Sequence, residues 1–287
     1  MKRTAILFDG GFFFQRVLFF ARKYFGSGLG LTAEHLTQII RKLVRLHVED
    51  ERSARRELYR IYYYDCPPPS NQVRLPIIPS GNKTPGHMNF KAHPPYQLRR
   101  DLHDQLRASR KTALRLGELA KSGEWQLNSH SLKALLRGEK TWDTLSNEDF
   151  HYSIEQKTVD TKLGMDITTL ALDKLVDVIV LVAGDSDFVP AAKLARTKGI
   201  DFVIDPMWAN TTGSLSEHGD GLRSFDIVRI IRDVTGTPVT SCPEWWVEEV
   251  HIASQQSDGS IIPVAGNLDV DPGLSQVVVQ QPPTVRS

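Results

Sequence analysis

Cysteine is almost missing from this chain: 287 residues contain two, Cys66 and Cys242. They lie far apart and in no metal-ligand spacing, which excludes a disulfide framework or a zinc knuckle and points to a reducing compartment. An excess of either charge is also lacking. Thirty-five Lys and Arg against 34 Asp and Glu leave a formal charge of +1, so any attraction to phosphate must come from local patterning. Long apolar runs are absent from the start. Met1-Lys2-Arg3 leads into residues 4–8, and the run stops at Asp9, too short for a signal peptide or a membrane span. A soluble, cytoplasmic protein without a membrane partner is expected. No aromatic residue follows Trp246, and residues 254–287, rich in Gln, Ser, Pro and Val, are expected to form a disordered tail. What remains is ordinary for a globular domain: 40% hydrophobic and 24% charged residues, ample for a core.

Residues 4–8 form a continuous apolar run, as expected of a strand buried on both faces of a parallel sheet. Asp9-Gly10-Gly11 then reads as a turn. Leu36, Ile39, Ile40, Leu43, Val44 and His47 recur at helical spacing behind Thr32, a suitable N-cap. Residues 58–64, rich in aromatic and branched side chains, predict a second strand ending at Asp65. Residues 66–96 hold eight of the 16 prolines and predict a long irregular excursion. A helix is expected over about 97–121, with Leu98, Leu102, Leu106, Ala113, Leu116 and Ala120 as its apolar stripe. Residues 176–183 predict a strand, 188–198 a helix stopped by Gly199, and 200–204 another strand. This βαβ unit forces a parallel, right-handed arrangement. One domain over residues 1–253, interrupted by the excursion, is the expected organisation.

In open parallel sheets, ligands bind outside the carboxyl ends of the strands. Asp9 follows the first strand, and Asp185 and Asp187 follow the strand 176–183. Asp160 stands at the expected start of a helix, and Ser186 reads as the N-cap of the next one. Acids at helix N-termini can simply complement the helix dipole, worth roughly 0.3–1 kcal/mol each. Several acids meeting in space are different. They repel, and one must protonate unless a cation binds. Hard oxygen ligands suit Mg²⁺ or Mn²⁺.

The segment Val-Ala-Gly-Asp185-Ser-Asp187-Phe-Val-Pro-Ala-Ala-Lys-Leu-Ala, preceded by Gln-Lys157-Thr-Val-Asp160, resembles the NYN-domain branch of the PIN-like nucleases. That family carries a K-G-V-D segment and a G-D-G/S-D-F segment in this order, after a first strand that ends in Asp, here Asp9. The resemblance covers the first strand and roughly residues 150–235. It implies a Rossmann-like three-layer α/β/α sandwich with a central parallel sheet, a divalent metal, and hydrolysis of RNA phosphodiesters. Position by position, Asp9, Asp160, Asp185 and Asp187 match the acidic metal-site positions. Asp166 also matches a recurrent acidic position, but it lies six residues from Asp160, about −120° around a regular helix. One departure stands out: many members have Asn three residues after the first Asp, where this chain has Phe12.

Lys157 and Lys162 flank Asp160 and, with Ser186, are candidates for contacting substrate. Arg100, Arg107, Lys111 and Arg115 would share a face of the expected 97–121 helix, either as a solvated surface or as a stripe that tracks phosphates. Tyr62, Tyr63 and Tyr64 could stack on bases or fill the core. His87 and His93 fall in the proline-rich excursion, where the default is a solvated loop. Trp245 and Trp246 suggest packing or an interface. The expected partner is RNA, with room for a homo-oligomer. Two rival readings remain. One is a non-catalytic RNA-binding or regulatory module on the same fold. The other is a haloacid-dehalogenase-type phosphatase, which needs a second acid two residues after the first Asp, where this chain has Gly11.

Overall fold

A computed structural model describes residues 1–26, 28–49, 56–78, 83–209 and 217–240, together with the backbone of 260–261 and 276–279. Cys242, Trp245, Trp246 and nearly all of the 254–287 tail lie outside the described residues. The chain divides into two compact units.

The first unit comprises Met1–Asp65, Asp101–Gly117 and Thr158–Pro272. In chain order its elements are β1 (Lys2–Asp9), α1 (Gly10–Phe25), α2 (Ala33–Val48), β2 (Arg56–Asp65), α3 (Pro94–Ala108, in this unit from Asp101 on), β3 (Thr112–Leu116), α4 (Val159–Leu172), β4 (Val178–Val182), α5 (Val189–Thr197), β5 (Asp201–Asp205), β6 (Gly221–Leu222) and α6 (Ile227–Thr235). The six strands make one sheet in the order β6-β5-β4-β1-β2-β3, with every pairing parallel. Read from the other edge, that order is 3-2-1-4-5-6, the doubly wound arrangement whose switch point lies between β1 and β4. Helices α1, α2 and α6 pack together, as do α4 and α5. The α/β class with helices flanking a central parallel sheet, as expected for a PIN-like fold, is what the chain forms.

The central strands explain their own sequences. Ala5 to Phe8 and Val178 to Val182 are completely buried, because both faces of a parallel sheet are covered by helices. Helix α2 begins at Thr32, whose hydroxyl accepts from the His35 N–H while the His35 ring accepts from the Thr32 N–H. This reciprocal cap satisfies two otherwise unpaired donors.

Two local expectations are corrected, and one alternative left open is settled. The Gly10-Gly11 pair opens α1 instead of making a free-standing turn, because the Asp9 carboxylate caps the helix by accepting from the Phe12 N–H at 3.1 Å. The expected 97–121 helix ends at Ala108. Lys111 takes a left-handed backbone (φ 57°), after which Thr112–Leu116 pairs with Ile61–Asp65 as the sheet's edge. Sheet pairing has overridden helical periodicity, and Arg115 therefore sits on a strand, not on a helical stripe with Arg100, Arg107 and Lys111. The three consecutive tyrosines are all core: Tyr63 and Tyr64 are fully buried and Tyr62 nearly so, which removes them as base-stacking groups.

The second unit comprises Cys66–Arg100, Glu118–Lys157 and Gly273–Ser287. Its spine is the strand Phe150–Lys157, antiparallel to Glu124–Leu127 and to Glu118–Leu119. The proline-rich stretch supplies a hairpin, Gln72–Arg74 against His87–Asn89. Met88, Phe90, Tyr152 and Ile154 form a small core with Trp125 against it. The Trp125 indole donates to the Arg74 carbonyl at 2.7 Å, the partner that a half-buried indole N–H requires. Among the described residues, no helix is long and apolar enough to cross a membrane.

Candidate active site

The carboxyl-end edge of the first unit's sheet gathers acids from separate parts of the chain. Asp9 closes β1, and its neighbour in register on β2 is Tyr64, one residue short of Asp65. On the other side of β1, Phe8 pairs with Val182, and Ala183-Gly184 leads from there to Asp185. Asp9 and Asp185 thus flank the switch point, where two strands turn away in opposite directions and leave a crevice.

Asp160 arrives from a third direction. It occupies the first turn of α4, behind Thr158, whose left-handed backbone (φ 68°) is unusual for a β-branched residue. Such conformations cost on the order of 1–3 kcal/mol and persist where surrounding structure enforces them. Beyond Asp185 lies a 3-10 turn, Ser186–Phe188. The expected cap, Ser186, is displaced by its neighbour: the Asp185 carboxylate accepts from the Asp187 N–H at 3.1 Å. An Asp two residues before the donor closes this turn with its own side chain.

Electrostatics register the convergence. The Asp9 carboxyl is pushed up to about 7, first by burial and then by Asp160, Asp65 and Asp185, against the lowering effect of the Phe12 N–H. Asp160 is raised too, by burial, Asp185 and Asp187. Like charges close by make a buried carboxyl harder to ionise. Among the described residues, no Lys or Arg figures among the influences on Asp9 or Asp160.

Asp166 is placed elsewhere. Its carboxylate accepts from the Tyr64 hydroxyl at 2.8 Å and from Arg115 Nε at 2.9 Å, and it is not among the groups that shift Asp9 or Asp160. Lys162, on the same helix as Asp160, donates from Nζ to the Leu116 carbonyl at 2.6 Å. Lys157 belongs to the second unit, where it pairs with Glu155 at 3.6 Å. His87 and His93 also belong to that unit.

Two residues at this edge escaped the reading of the sequence. Asp65 ends β2 as Asp9 ends β1, and it is one of the acids acting on Asp9. His103, on α3, lies 2.9 Å from Asp65 with both side chains buried. The signal for Asp65 was the repeated motif of an apolar strand closing on an aspartate. His103 left no such trace.

Phe12, at the position where the resemblance leads to Asn, is buried beside the Gly184 turn. A methyl group at Gly184 would come within 2.7 Å of the Phe12 ring. The side chain that replaces a polar group therefore fills apolar space against the backbone that presents Asp185.

By charge and chemistry alone the acids at this edge suit a divalent ion: burial and three other carboxylates raise Asp9, and carboxylate oxygens are hard ligands. Among the described residues, no group of three or more His, Cys, Asp or Glu stands close enough together to hold a metal ion as placed.

The chain is 26% identical over 110 residues to the uncharacterized protein MJ0482 of Methanocaldococcus jannaschii, a match covering 38% of this chain and 43% of that one. The chain thus spans less than half the length of this curated relative. Among solved structures, the protein of unknown function VPA0982 from Vibrio parahaemolyticus RIMD 2210633 aligns with a TM-score of 0.37 at 15% identity, covering 78% of this chain and 93% of that one. Asp160, Asp185 and Asp187 fall within residues 126–220, and that segment matches the NYN domain, the family its motifs resemble.

Proposed function

We propose that this chain is a cytoplasmic, divalent-metal-dependent ribonuclease whose active site is the acid crevice at the switch point. The observation that carries the reading is the state of Asp9: a carboxyl pushed up to about 7 by burial and by Asp160, Asp65 and Asp185, with no basic side chain among those influences in the described residues. Such a group is poised for a hard cation, not for an internal ion pair.

Asp9, Asp160 and Asp185 would hold Mg²⁺ or Mn²⁺, with Asp187 at the open side. Such an ion supplies a more acidic water nucleophile and offsets charge on a phosphodiester under in-line attack. The chain's own residues do the rest. The Phe12 N–H holds one Asp9 oxygen in place, and the Asp187 N–H does the same for Asp185. The left-handed turn at Thr158 starts the helix that presents Asp160. Phe12, buried against Gly184, helps to exclude water from the inner wall. Asp166, held by Arg115 and Tyr64, acts as a positioning residue on the same helix as Asp160.

The test is cleavage of a mixed-sequence RNA by purified protein, with chelator and Asp185→Asn as controls. Asn keeps the oxygen that accepts from the Asp187 N–H, so the fold survives and the loss isolates charge. The substitution is expected to slow cleavage by about a hundredfold or more, the scale of removing one transition-state stabiliser. Equal cleavage by both proteins, or cleavage indifferent to chelator, rejects the reading.

A second reading, a non-catalytic RNA-binding module, is favoured by one observation: Phe12 occupies a place that is polar in many NYN domains. It predicts RNA binding that Asp185→Asn leaves unchanged, with no metal-dependent cleavage by either protein.

A further inference from the structure

A cleft of about 370 Å³ opens beside the edge strand of the first unit, lined by Leu114, Arg115 and Leu116 of β3 and by Lys162, Met165 and Asp166 of α4. Its position follows from the register. Leu116 pairs with Asp65 on β2, and β2 pairs with β1. At roughly 4.8 Å per strand, the cleft begins about 10 Å from Asp9 along the same sheet edge.

Two cations stand in it, and neither is loose. Arg115 is fixed side-on, with Nε bonded to Asp166 at 2.9 Å and its guanidinium 5.7 Å from the Tyr62 ring centroid. Asp166 is itself gripped by the buried Tyr64 hydroxyl. Nε is the only Arg115 nitrogen so engaged among the described residues, which leaves the paired Nη groups for an outside acceptor. A guanidinium pre-set in this way meets a phosphate with little further loss of freedom. Lys162 is anchored on the Leu116 carbonyl, and an ammonium has two more donors to offer. Beside the cations stands Met165, 64% exposed although it is large and apolar, while Leu114 and Leu116 alternate with Arg115 and turn their side chains to the other face of the sheet. A flexible thioether makes favourable contact with aromatic rings.

We infer that this cleft is a nucleotide subsite for single-stranded RNA: Arg115 and Lys162 take a phosphate, and Met165 takes the face of the base beside it. The volume suits one nucleotide. A base can enter only when unstacked, which selects single strands over duplex. The inference rests on the nucleic-acid reading of the acid crevice and extends it by naming where the neighbouring nucleotide sits.

The experiment measures binding of a short fluorescent single-stranded RNA of mixed sequence to the full chain, in Mg²⁺ and on an Asp185→Asn background that suppresses cleavage. Met165→Glu, at an exposed position that does not endanger folding, is expected to weaken binding about tenfold, as is Arg115→Gln. Arg115→Gln is also expected to flatten the salt dependence by about one phosphate contact. Arg115→Lys keeps the charge without the fork and is expected to recover only part of the loss. A blunt duplex of the same sequence is expected to bind more weakly and to ignore Met165→Glu. Undetectable binding by the parent, parent-like affinity of the Met165 and Arg115 variants, or an equal loss with duplex overturns the subsite. The two readings fail separately. If the unsubstituted chain cleaves RNA while Met165→Glu binds normally, the subsite is wrong and the nuclease stands. If cleavage is absent while both losses appear, the converse holds.

Discussion

His103 Nε2 lies 2.9 Å from Asp65 Oδ2, inside the protein, at the strand end next to Asp9. The bond joins residues 38 positions apart, one on a helix and one on the sheet. Removing one partner of a buried, hydrogen-bonded carboxylate typically costs about 3–5 kcal/mol. His103→Leu is therefore expected to destabilise the protein by about 3 kcal/mol, read from urea unfolding. Asp65→Asn tests the other side of the relationship. Because Asp65 raises Asp9, removing its charge should move the Asp9 titration to below about 7, observable by carbon NMR of the carboxyl group. An unmoved Asp9 titration would show that the two acids do not sense each other.

Asp9 also makes stability depend on pH, and the sign is unusual for an aspartate. Its folded-state value is raised from 3.8 to about 7, so between those limits the folded chain binds more protons than the unfolded chain. Stability from this group is complete below the unfolded value and is lost as pH rises through about 7. Asp160 is raised as well and adds to the same trend. In chelator, the melting temperature is expected to fall from about pH 4 to pH 8, and millimolar Mg²⁺ or Mn²⁺ should reverse the fall. Asp9→Asn keeps the cap on α1, since Asn accepts as well as Asp there, but carries no charge. At pH 8 without metal it should be more stable than the parent by about 1–3 kcal/mol. A variant less stable than the parent across the whole range would contradict this account of Asp9.

The contrast between what could and could not be read from residues alone has physical causes. β1 and β4 were legible because strands buried on both faces are apolar throughout and short. The acids Asp9, Asp160, Asp185 and Asp187 drew attention because each stands at or next to an element boundary. Helix α1 was missed. Apolar residues fill both faces of its sequence (Phe12, Phe13, Phe14, Val17, Leu18, Phe19, Phe20), although Gln15, Phe19 and Arg22 form an exposed side, so the sequence shows little one-sided periodicity, and Gly10-Gly11 imitates a turn. β3 was read as helix because Leu106, Ala113 and Leu116 keep helical spacing by chance, and only pairing with β2 makes Thr112–Leu116 a strand. The Asp65–His103 pair and the Arg115–Asp166–Tyr64 group depend on contacts between distant segments. No local pattern encodes them.

Gly184 offers a test of how tightly the crevice wall is built. A Cβ there would meet the Phe12 ring at 2.7 Å, and Phe12 is 3% exposed, so the ring cannot swing into solvent. Gly184→Ala is expected to cost about 1–3 kcal/mol by overpacking. It should also slow RNA cleavage, because Asp185 is the next residue. Phe12→Leu removes the atoms that clash. In a double-mutant cycle, the second change should recover part of both losses and give a coupling of about 1 kcal/mol. Strict additivity would mean that the strain is relieved elsewhere.

A second buried histidine–carboxylate pair supplies the control that the first one needs. Asp205 ends β5 and is inaccessible. It receives hydrogen bonds from the Met207 N–H at 2.9 Å and the Ser224 hydroxyl at 2.8 Å, and His47 lies 2.9 Å away. These bonds hold a chain reversal in which Met207 (φ 44°) and Trp208 (φ 64°) are both left-handed, a strained pair for residues with side chains. Arg16 clamps the same turn through two bonds to the Met207 carbonyl. Unlike Asp65, Asp205 is not among the groups that raise Asp9. Asp205→Ala should therefore cost about 3–5 kcal/mol and leave the Asp9 titration where it was, whereas Asp65→Asn moves it. Unfolding curves and carboxyl NMR on both variants separate the roles. If Asp205→Ala shifts Asp9 as far as Asp65→Asn does, the shift reports general loosening of the sheet edge and not the charge on Asp65.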